Sequence, residues 1–216
     1  SPHYSMNVTD RTAVVTGGAS GIGREIAIRF AECGADVVVA DVREAPRLPE
    51  GTNHDSRPTH EYIRAETLRV AVEAAEEFGG VDVMVNNAGI FRTVPFTDIT
   101  EAEYDRLMDI NTKGVFFGAQ IAAEAMESGA IVNLSSIAAL HGTGNHPVYS
   151  ASKAAVKNLT ASMADALGPE IRVNAVLPGV VDTAMTREDV PTVGGDRAER
   201  YEDRIPLDRF GDPEDV

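Results

Sequence analysis

The stretch from Thr12 to Gly23 reads TAVVTGGASGIG, and it decides the fold. Its first five residues, Thr12–Thr16, are β-branched or apolar and predict a buried strand. Glycines follow at once, and Gly21–Cys33 then shows the apolar spacing of a helix. Glycines in such a turn let the backbone approach a pyrophosphate, and the helix amino terminus favours negative charge. The unit predicts a nucleotide-binding turn, with a plain structural turn as the alternative.

Apolar strands and longer helices alternate along the rest of the chain. This alternation predicts a parallel sheet with helices on both faces, a single doubly wound α/β domain over residues 6–216. Residues 1–5 precede Met6 and are expected to be a tail or a vector remnant. Further strands are predicted at Asp36–Ala40, His60–Arg64, Val81–Asn86, Ala130–Leu134 and Ile171–Val176, and further helices at Glu66–Phe78, Glu101–Met126 and Ser150–Leu167.

Composition restricts the partners and the compartment. The 216 residues carry 34 acidic and 19 basic side chains, a net charge of −15. That charge argues against nucleic acid or an anionic membrane as the main partner, because both are polyanions. The single cysteine, Cys33, cannot form an intramolecular disulfide, and no apolar run is long enough to span a membrane, so we expect a cytoplasmic protein. The sequence shows no metal-ligand spacing, so no metal is expected.

Asp41 follows the second predicted strand. A carboxylate there can accept hydrogen bonds from both hydroxyls of an adenosine ribose, and it would repel a 2′-phosphate. The alternative is an aspartate that simply begins a loop. Gly18 and Val42 put no basic residue beside either motif, and Arg43 is the one candidate for binding a 2′-phosphate. We therefore expect NAD rather than NADP.

Tyr149 and Lys153 lie four residues apart, a spacing that puts both on one face of a helix. A tyrosine with the ordinary pKa of about 10 is a poor base near neutrality, and a nearby cation draws that pKa down. By itself such a pair is an ordinary surface pair, but lysine occurs at only three positions in this chain. Ser136 also follows a predicted strand, at the sheet edge where ligands bind. Together these residues point to acid/base chemistry at that edge.

Six motifs in this order resemble the short-chain dehydrogenase/reductase family, in its oxidoreductase branch. The resemblance runs from about Asp10 to Val216 and implies an NAD(H)-dependent enzyme that interconverts a secondary alcohol and a ketone. It also implies a homotetramer or homodimer, packed partly through the helices Glu101–Met126 and Ser150–Leu167. The motifs are T-G-x-x-x-G-x-G at residues 16–23, N-N-A-G at 86–89, Asn111, Ser136, Y-x-x-x-K at 149–153 and Pro178-Gly179.

The resemblance also implies a role for each matching residue. Tyr149 would be the acid/base, Lys153 would lower its pKa and hold the nicotinamide ribose, and Ser136 would bind the substrate oxygen. Asn111 would hold a water in a proton relay, or it could be a satisfied mid-helix amide, and Thr183 could merely cap a helix. The implied cofactor contacts are Gly17, Ser20, Gly21, Ile22, Gly23, Asp41, Asn87, Ala88, Gly89, Tyr149, Lys153, Pro178, Gly179, Val181 and Thr183.

Two other functions remain open at this point. One is a 3-oxoacyl thioester reductase acting on an acyl-carrier or CoA substrate, although an acidic carrier fits a chain of charge −15 poorly. The other is a non-catalytic nucleotide sensor or scaffold, which would need no acid/base residues. His141 and His146 are expected to be loop residues, with substrate contact as the lesser alternative.

Two segments near the carboxyl end carry separate expectations. Arg187–Arg204 is charged and contains a glycine pair, which suits a mobile lid or, equally, a plain surface excursion. Asp212-Pro213-Glu214-Asp215 has the form of a helix start. We therefore expect a longer natural chain, with a further helix and strand.

Overall fold

The computed structural model describes residues 8–41, 65–142, 144–196 and 198–216. Within these residues, five parallel strands form one sheet in the order β2-β1-β3-β4-β5. The strands are β1 Thr12–Thr16, β2 Asp36–Ala40, β3 Val83–Asn86, β4 Gly129–Leu134 and β5 Ile171–Val176. The helices are α1 Gly21–Glu32, α2 Ala65–Ala75, α3 Glu101–Met108, α4 Gly114–Ala125, α5 Pro147–Leu167 and α6 Ala198–Glu202. The predicted doubly wound α/β fold is confirmed.

Successive residues of the strands pack into two cores, one on each face of the sheet. Val14 and Met84 point to the face covered by α2 and α4, where Leu68 and Ala122 are also buried. Val15, the next residue of β1, is buried on the opposite face with residues of α1. All five residues of the interior strand β1 are buried, as expected where both faces of a parallel sheet are covered. The edge strand β5 instead alternates the buried Ile171 and Val173 with the exposed Arg172 and Asn174.

The prediction of one continuous helix over Glu101–Met126 is wrong. The helix is interrupted after α3 by a π-helical turn, Asp109–Lys113, before α4 begins. A π-helical turn carries an extra residue, which rotates the side chains that follow relative to a regular helix. Within this turn, Asn111 makes side-chain hydrogen bonds to Ile90 and Ser152, which lie in other parts of the chain.

Other element boundaries shift by a few residues. α5 begins at Pro147 rather than Ser150, with proline in the first turn, where its missing N–H costs nothing. β3 begins at Val83, two residues later than predicted, and the preceding Asp82 accepts a hydrogen bond from Thr12 N through its side chain (2.8 Å). The predicted strand at His60–Arg64 lies outside the described residues.

The carboxyl ends of the strands meet at one edge of the sheet. Thr16 pairs in register with Ala40, and Asn86 pairs with Asn133. In a doubly wound sheet, this edge is where ligands bind. The glycine turn after β1 and the polar residues after β3 and β4 are therefore neighbours in space.

Candidate active site

The glycine turn after β1 has the conformation that its sequence predicts. Gly17 and Gly21 have positive φ angles of 67° and 54°, which residues other than glycine rarely adopt. A Cβ atom on Gly23 would overlap the carbonyl oxygen of Gly17, so helix α1 packs closely against the turn. The Ser20 side chain makes no capping hydrogen bond to α1. The positive end of α1 therefore points into the turn without a side-chain cap.

Hydrogen bonds of Asn87 join the end of β3 to this turn. The Asn87 side-chain amide donates to the carbonyl oxygens of Thr16 (3.0 Å) and Gly17 (3.1 Å). The Thr16 hydroxyl in turn accepts from the backbone N–H groups of Asn87 (3.0 Å) and Ala88 (3.1 Å). The structure thus brings together the glycine turn and the segment 86–89, two motifs that are about seventy residues apart in sequence.

Asp41 lies at the same edge and also holds the turn. One of its carboxylate oxygens accepts a hydrogen bond from Ala19 N at 2.9 Å. Asp41 lines the cleft beside Ala40, at the end of β2. Val42 and Arg43, which entered the cofactor prediction, lie outside the described residues.

A cleft of about 280 Å³ runs along this edge. Thr183 also lines this cleft and lies next to the glycine turn, since its methyl group would be 3.2 Å from a Cβ atom placed on Gly21. The unsubstituted glycines and the uncapped helix terminus leave room and positive potential for a pyrophosphate, so these residues fit a dinucleotide. The predicted cofactor residues that line the cleft are Gly17, Ser20, Gly21, Ile22, Asp41, Asn87, Ala88, Gly89 and Thr183.

Tyr149 lies in the first turn of α5, half-buried, and is hydrogen-bonded to the Ser136 side chain. Burial raises the pKa of the phenol, and the bond to Ser136 offsets part of that increase. This direction is opposite to the one expected from the Tyr–Lys spacing, because the cost of burying a phenolate outweighs the other effects. Ser136 also accepts a hydrogen bond from Ala138 N at 3.1 Å, which orients its hydroxyl.

Lys153 is buried beside the tyrosine, with 5% of its surface exposed. Its ammonium group donates to the carbonyl oxygen of Leu134 at 2.8 Å and lies 5.8 Å from the centre of the Tyr149 ring. Burial lowers the pKa of Lys153 to about 8, because the charged form loses its hydration. The ammonium group therefore loses its proton at a lower pH than that of an exposed lysine.

Asn111 lies in the π-helical turn and is fully buried. Its side chain accepts from Ile90 N (2.8 Å) and donates to Ile90 O (2.9 Å) and to the Ser152 hydroxyl (3.2 Å). Its amide is thus satisfied by distant partners, and the interrupted helix brings it next to the catalytic candidates. A Cβ atom on Gly89 would be 3.3 Å from the Asn111 oxygen and 3.5 Å from the Lys153 ammonium, so Gly89 adjoins both.

The other predicted cofactor residues follow β5. Pro178 O accepts a hydrogen bond from Ile137 N at 3.1 Å, which places Pro178-Gly179 beside the turn that carries Ser136. Val181 is buried and forms an isolated parallel bridge with Gly211. Thr183 N–H donates to the Thr186 hydroxyl (3.0 Å), and Thr183 O accepts from the N–H groups of Thr186 (3.1 Å) and Arg187 (3.0 Å).

The segment proposed as a lid begins in this region. This segment, Arg187–Arg204, starts within a π-helical turn, Met185–Asp189, and includes the short helix α6. Arg187 forms an ion pair with Asp182, and Asp189 lines the cleft. Movement of the segment stays a prediction. The predicted helix start at Asp212 is present as a short 3-10 turn, Pro213–Asp215.

Sequence reasoning missed a buried chain of polar side chains beneath the site. The Asn86 amide donates to the Asn133 oxygen (2.9 Å), and the Asn133 amide donates to the Thr160 hydroxyl (3.0 Å). Thr160 then donates to Val156 O at 2.8 Å. The sequence does contain a signal for this chain of hydrogen bonds, because each of two predicted strands has an asparagine near its end. A polar side chain in a buried strand needs a hydrogen-bond partner.

Ser152 and the aromatic neighbours of Tyr149 were also missed. The Ser152 hydroxyl donates to Tyr149 O at 2.8 Å and so joins Asn111 to the tyrosine. Phe91 contacts the Tyr149 ring, and His146 contacts both rings. His146 therefore lies beside the acid/base candidate, whereas His141 is exposed.

Two kinds of site are absent from the part of the chain that the structure describes. No three His, Cys, Asp or Glu side chains there are grouped so that they could hold a metal ion. None of its helices has the length and apolar character that crossing a membrane requires.

The fold and the site together define a dinucleotide-binding oxidoreductase: a parallel sheet, a glycine turn at the first helix, and a tyrosine and lysine on one helix face. A family model described as short chain dehydrogenase matches residues 11–194. The chain belongs to the short-chain dehydrogenase/reductase family, and it is an oxidoreductase that acts on CH–OH and C=O groups.

Relatives within the family differ in substrate. The chain is 37% identical over 224 residues to a 3-oxoacyl-[acyl-carrier-protein] reductase of Thermotoga maritima, covering 98% of this chain and 89% of the relative. It is 37% identical over 227 residues to an L-rhamnose 1-dehydrogenase (NAD(P)(+)) of Azotobacter vinelandii, covering 98% and 88%. A short-chain type dehydrogenase/reductase structure from Mycobacterium marinum superposes with a TM-score of 0.83 at 32% identity, covering 97% and 86%.

Proposed function

We propose that the protein is an NAD(H)-dependent oxidoreductase that interconverts a secondary alcohol and a ketone, with Tyr149 as its acid/base. The observation that carries the proposal is the contact of Tyr149 with Ser136, with Lys153 buried alongside and Asn111 joined through Ser152. A nucleotide sensor would need only the glycine turn and not a buried acid/base set.

Each residue has a part in the proposed reaction. In reduction, Tyr149 gives its proton to the oxygen of the developing alkoxide, and in oxidation it takes the proton back. Ser136 donates a hydrogen bond to the same oxygen and stabilises the charge that develops there. A nicotinamide bound in the cleft would supply or accept the hydride. The raised pKa of Tyr149 keeps the phenol protonated near neutral pH, which suits it to the role of proton donor in reduction.

Lys153 and Asn111 support the tyrosine. Lys153 is placed to carry a proton near neutral pH, since burial lowers its pKa to about 8. Its ammonium adjoins Gly89 in the cleft, within reach of a bound ribose. Asn111 holds Ile90 and Ser152, and so it fixes both the cleft wall and the first turn of α5. A water held by Asn111 would complete the relay from Lys153 to solvent.

NAD is the proposed cofactor because of Asp41. Its carboxylate lies at the end of β2 in the cleft, where it can accept hydrogen bonds from ribose hydroxyls and would repel a 2′-phosphate. Steady-state rates with NAD and with NADP, measured on one substrate, test this part. A higher kcat/KM with NADP would overturn the role given to Asp41 and leave the reaction class intact.

A second candidate function is reduction of 3-oxoacyl thioesters. It is favoured by the 37% identity to the Thermotoga maritima reductase over nearly the whole chain. The net charge of −15 disfavours an acidic carrier protein as the acyl donor. Assays with an acetoacetyl thioester of CoA beside simple ketones and sugars separate the two candidates through nicotinamide absorbance.

The variant Tyr149→Phe tests catalysis itself. Removal of a general acid/base group is expected to lower kcat by about 100-fold or more, while NAD affinity changes little. Tyr104→Phe is the matched control, because Tyr104 is exposed on α3. Full activity in Tyr149→Phe would exclude the proposed acid/base role. Wild-type protein that binds NAD but turns over none of the alcohols, ketones and thioesters would favour the sensor.

A further inference from the structure

Two rings form a wall beside the acid/base tyrosine. The Phe91 ring lies 4.5 Å from the Tyr149 ring, centre to centre, at an interplanar angle of 43°. His146 meets Phe91 edge-on at 5.1 Å and Tyr149 edge-on at 6.0 Å. We call Phe91 and His146 the aromatic wall.

The aromatic wall is held in place by the residues around it. Phe91 follows Ile90, whose N–H and C=O groups are both bonded to the side chain of Asn111. Three residues further on, Val94 N donates to Asn145 O at 3.1 Å, which joins this loop to the segment just before α5. Phe91 is therefore fixed from both sides and lines the cleft.

The aromatic wall presents rings rather than charge. Burial lowers the pKa of His146, so its imidazole is neutral near pH 7. The His146 Nδ1 atom lies 3.2 Å from the Ser150 hydroxyl, which occupies that side of the ring. Phe91 has no polar side-chain atom. A hydroxyl group placed against the Phe91 ring would lose its water without gaining an equivalent partner.

We infer that Phe91, backed by His146, forms the subsite for one of the two carbons that flank the reacting carbon, and that it selects substrates whose flanking carbon carries no hydroxyl. The inference rests on the proposed function, in which the substrate oxygen binds Tyr149 and Ser136. A flanking carbon is only two bonds from that oxygen, and the Phe91 ring lies 4.5 Å from the Tyr149 ring, centre to centre, which puts Phe91 within reach of such a carbon. Alkyl ketones and 3-oxoacyl thioesters, which carry hydrocarbon there, satisfy this condition, and polyols do not.

Acetone and dihydroxyacetone provide the test. Both ketones are symmetrical and differ only in a hydroxyl on each flanking carbon, so neither can avoid the aromatic wall by turning round. The quantity measured is the ratio of kcat/KM for acetone to kcat/KM for dihydroxyacetone, with the reduced nucleotide that the wild type prefers. Differences in intrinsic reactivity cancel when this ratio is compared between variants.

Three variants give the comparison. Phe91→Asn makes the subsite polar, Phe91→Leu keeps it apolar, and Phe96→Asn is the control, because Phe96 is 75% exposed on the same loop. Apolar subsites reject an added hydroxyl by about tenfold to hundredfold. We expect the ratio to fall about tenfold in Phe91→Asn, equivalent to about 1.4 kcal/mol. It should stay within about threefold of wild type in the other two. Melting temperature and nucleotide affinity verify folding, with Phe91→Thr as the substitute if Phe91→Asn does not fold.

The possible outcomes distinguish a failure of this inference from a failure of the proposed function on which it rests. An unchanged ratio in Phe91→Asn overturns the inference but leaves the proposed oxidoreductase function standing. An equal fall of the ratio in Phe91→Leu has the same consequence, because it would mean that the size of the side chain matters and its polarity does not. Wild-type protein that binds nucleotide but reduces no ketone or thioester overturns the proposed function, and the inference with it.

Discussion

Replacing Lys153 with methionine tests whether the site holds a buried amine. Lys153 is 5% exposed, and burial lowers its pKa from 10.5 to about 8. Methionine has a similar length and no charge. Lys157 is exposed on the same helix, one turn further on, so Lys157→Met is the matched control.

The sign and size of the effect follow from linkage. The unfolded chain binds more protons at Lys153 than the folded chain does between pH 8 and pH 10.5, so wild-type stability rises with pH across this range. At about 1.4 kcal/mol per unit, the full pKa shift corresponds to roughly 3.5 kcal/mol. Between pH 7 and pH 10 we expect the free energy of unfolding of wild type to rise by about 2.5 kcal/mol relative to Lys153→Met.

Urea unfolding at pH 7, 8.5 and 10 measures this difference. Far-ultraviolet circular dichroism is the signal, because the chain has no tryptophan. Groups that titrate alike in wild type and variant cancel from the difference in unfolding free energy. Burial raises the pKa of Tyr149 above its ordinary value of 10.0, the top of this pH range. At pH 7 the variant loses the hydrogen bond to Leu134 as well as the buried charge, so the pH slope and not the single value is diagnostic. Parallel pH curves for wild type, Lys153→Met and Lys157→Met would refute a buried amine.

Two further predictions concern the glycine turn and the buried polar chain. Gly23→Ala puts a methyl group into the backbone of the turn and is expected to weaken NAD binding at least tenfold by calorimetry, at a stability cost of about 1–3 kcal/mol. Gly142→Ala, at an open surface position, should change neither, and equal NAD affinity in both variants would contradict the close packing. Asn133→Leu leaves the Asn86 amide without its partner and is expected to cost about 2–3 kcal/mol in urea unfolding. The exposed Asn174→Ala should stay within about 0.5 kcal/mol of wild type, and a similarly small cost for Asn133→Leu would show that the buried chain is not needed.

The sequence predicts the bounds of three of the five strands, the interior strand β1 and the two edge strands β2 and β5. Thr12–Thr16, Asp36–Ala40 and Ile171–Val176 are strands with the predicted bounds. Each is a short, largely apolar run next to a turn, and such a run in an alternating α/β pattern has few other solutions. The glycine turn is predictable for a local reason too, since the backbone of Gly17 and Gly21 requires glycine.

Features that depend on contacts distant in sequence were not predictable. At the break between α3 and α4, Asn111 bonds to Ile90, twenty-one residues earlier in the chain. The spacing of Tyr149 and Lys153 shows that they share a helix face, but it does not show how deeply either is buried. Burial reversed the expected direction of the Tyr149 pKa. The aromatic wall likewise joins a loop after β3 to the start of α5, which no local pattern reveals.

Side-chain hydrogen bonds attach α5 to the rest of the fold at two positions along the helix. These attachments explain why polar groups are buried beside α5. Near the site, Ser152 joins Asn111 to the backbone of Tyr149, and two turns further along the helix Thr160 joins Asn133. Apolar contacts between a helix and a sheet are non-directional and fix its rotation only loosely, whereas hydrogen bonds require particular distances and angles. A fully satisfied polar network makes one arrangement favourable. Because proton transfer from Tyr149 requires its oxygen to lie within hydrogen-bond reach of the substrate, these two attachments give α5 the fixed position that the proposed reaction needs.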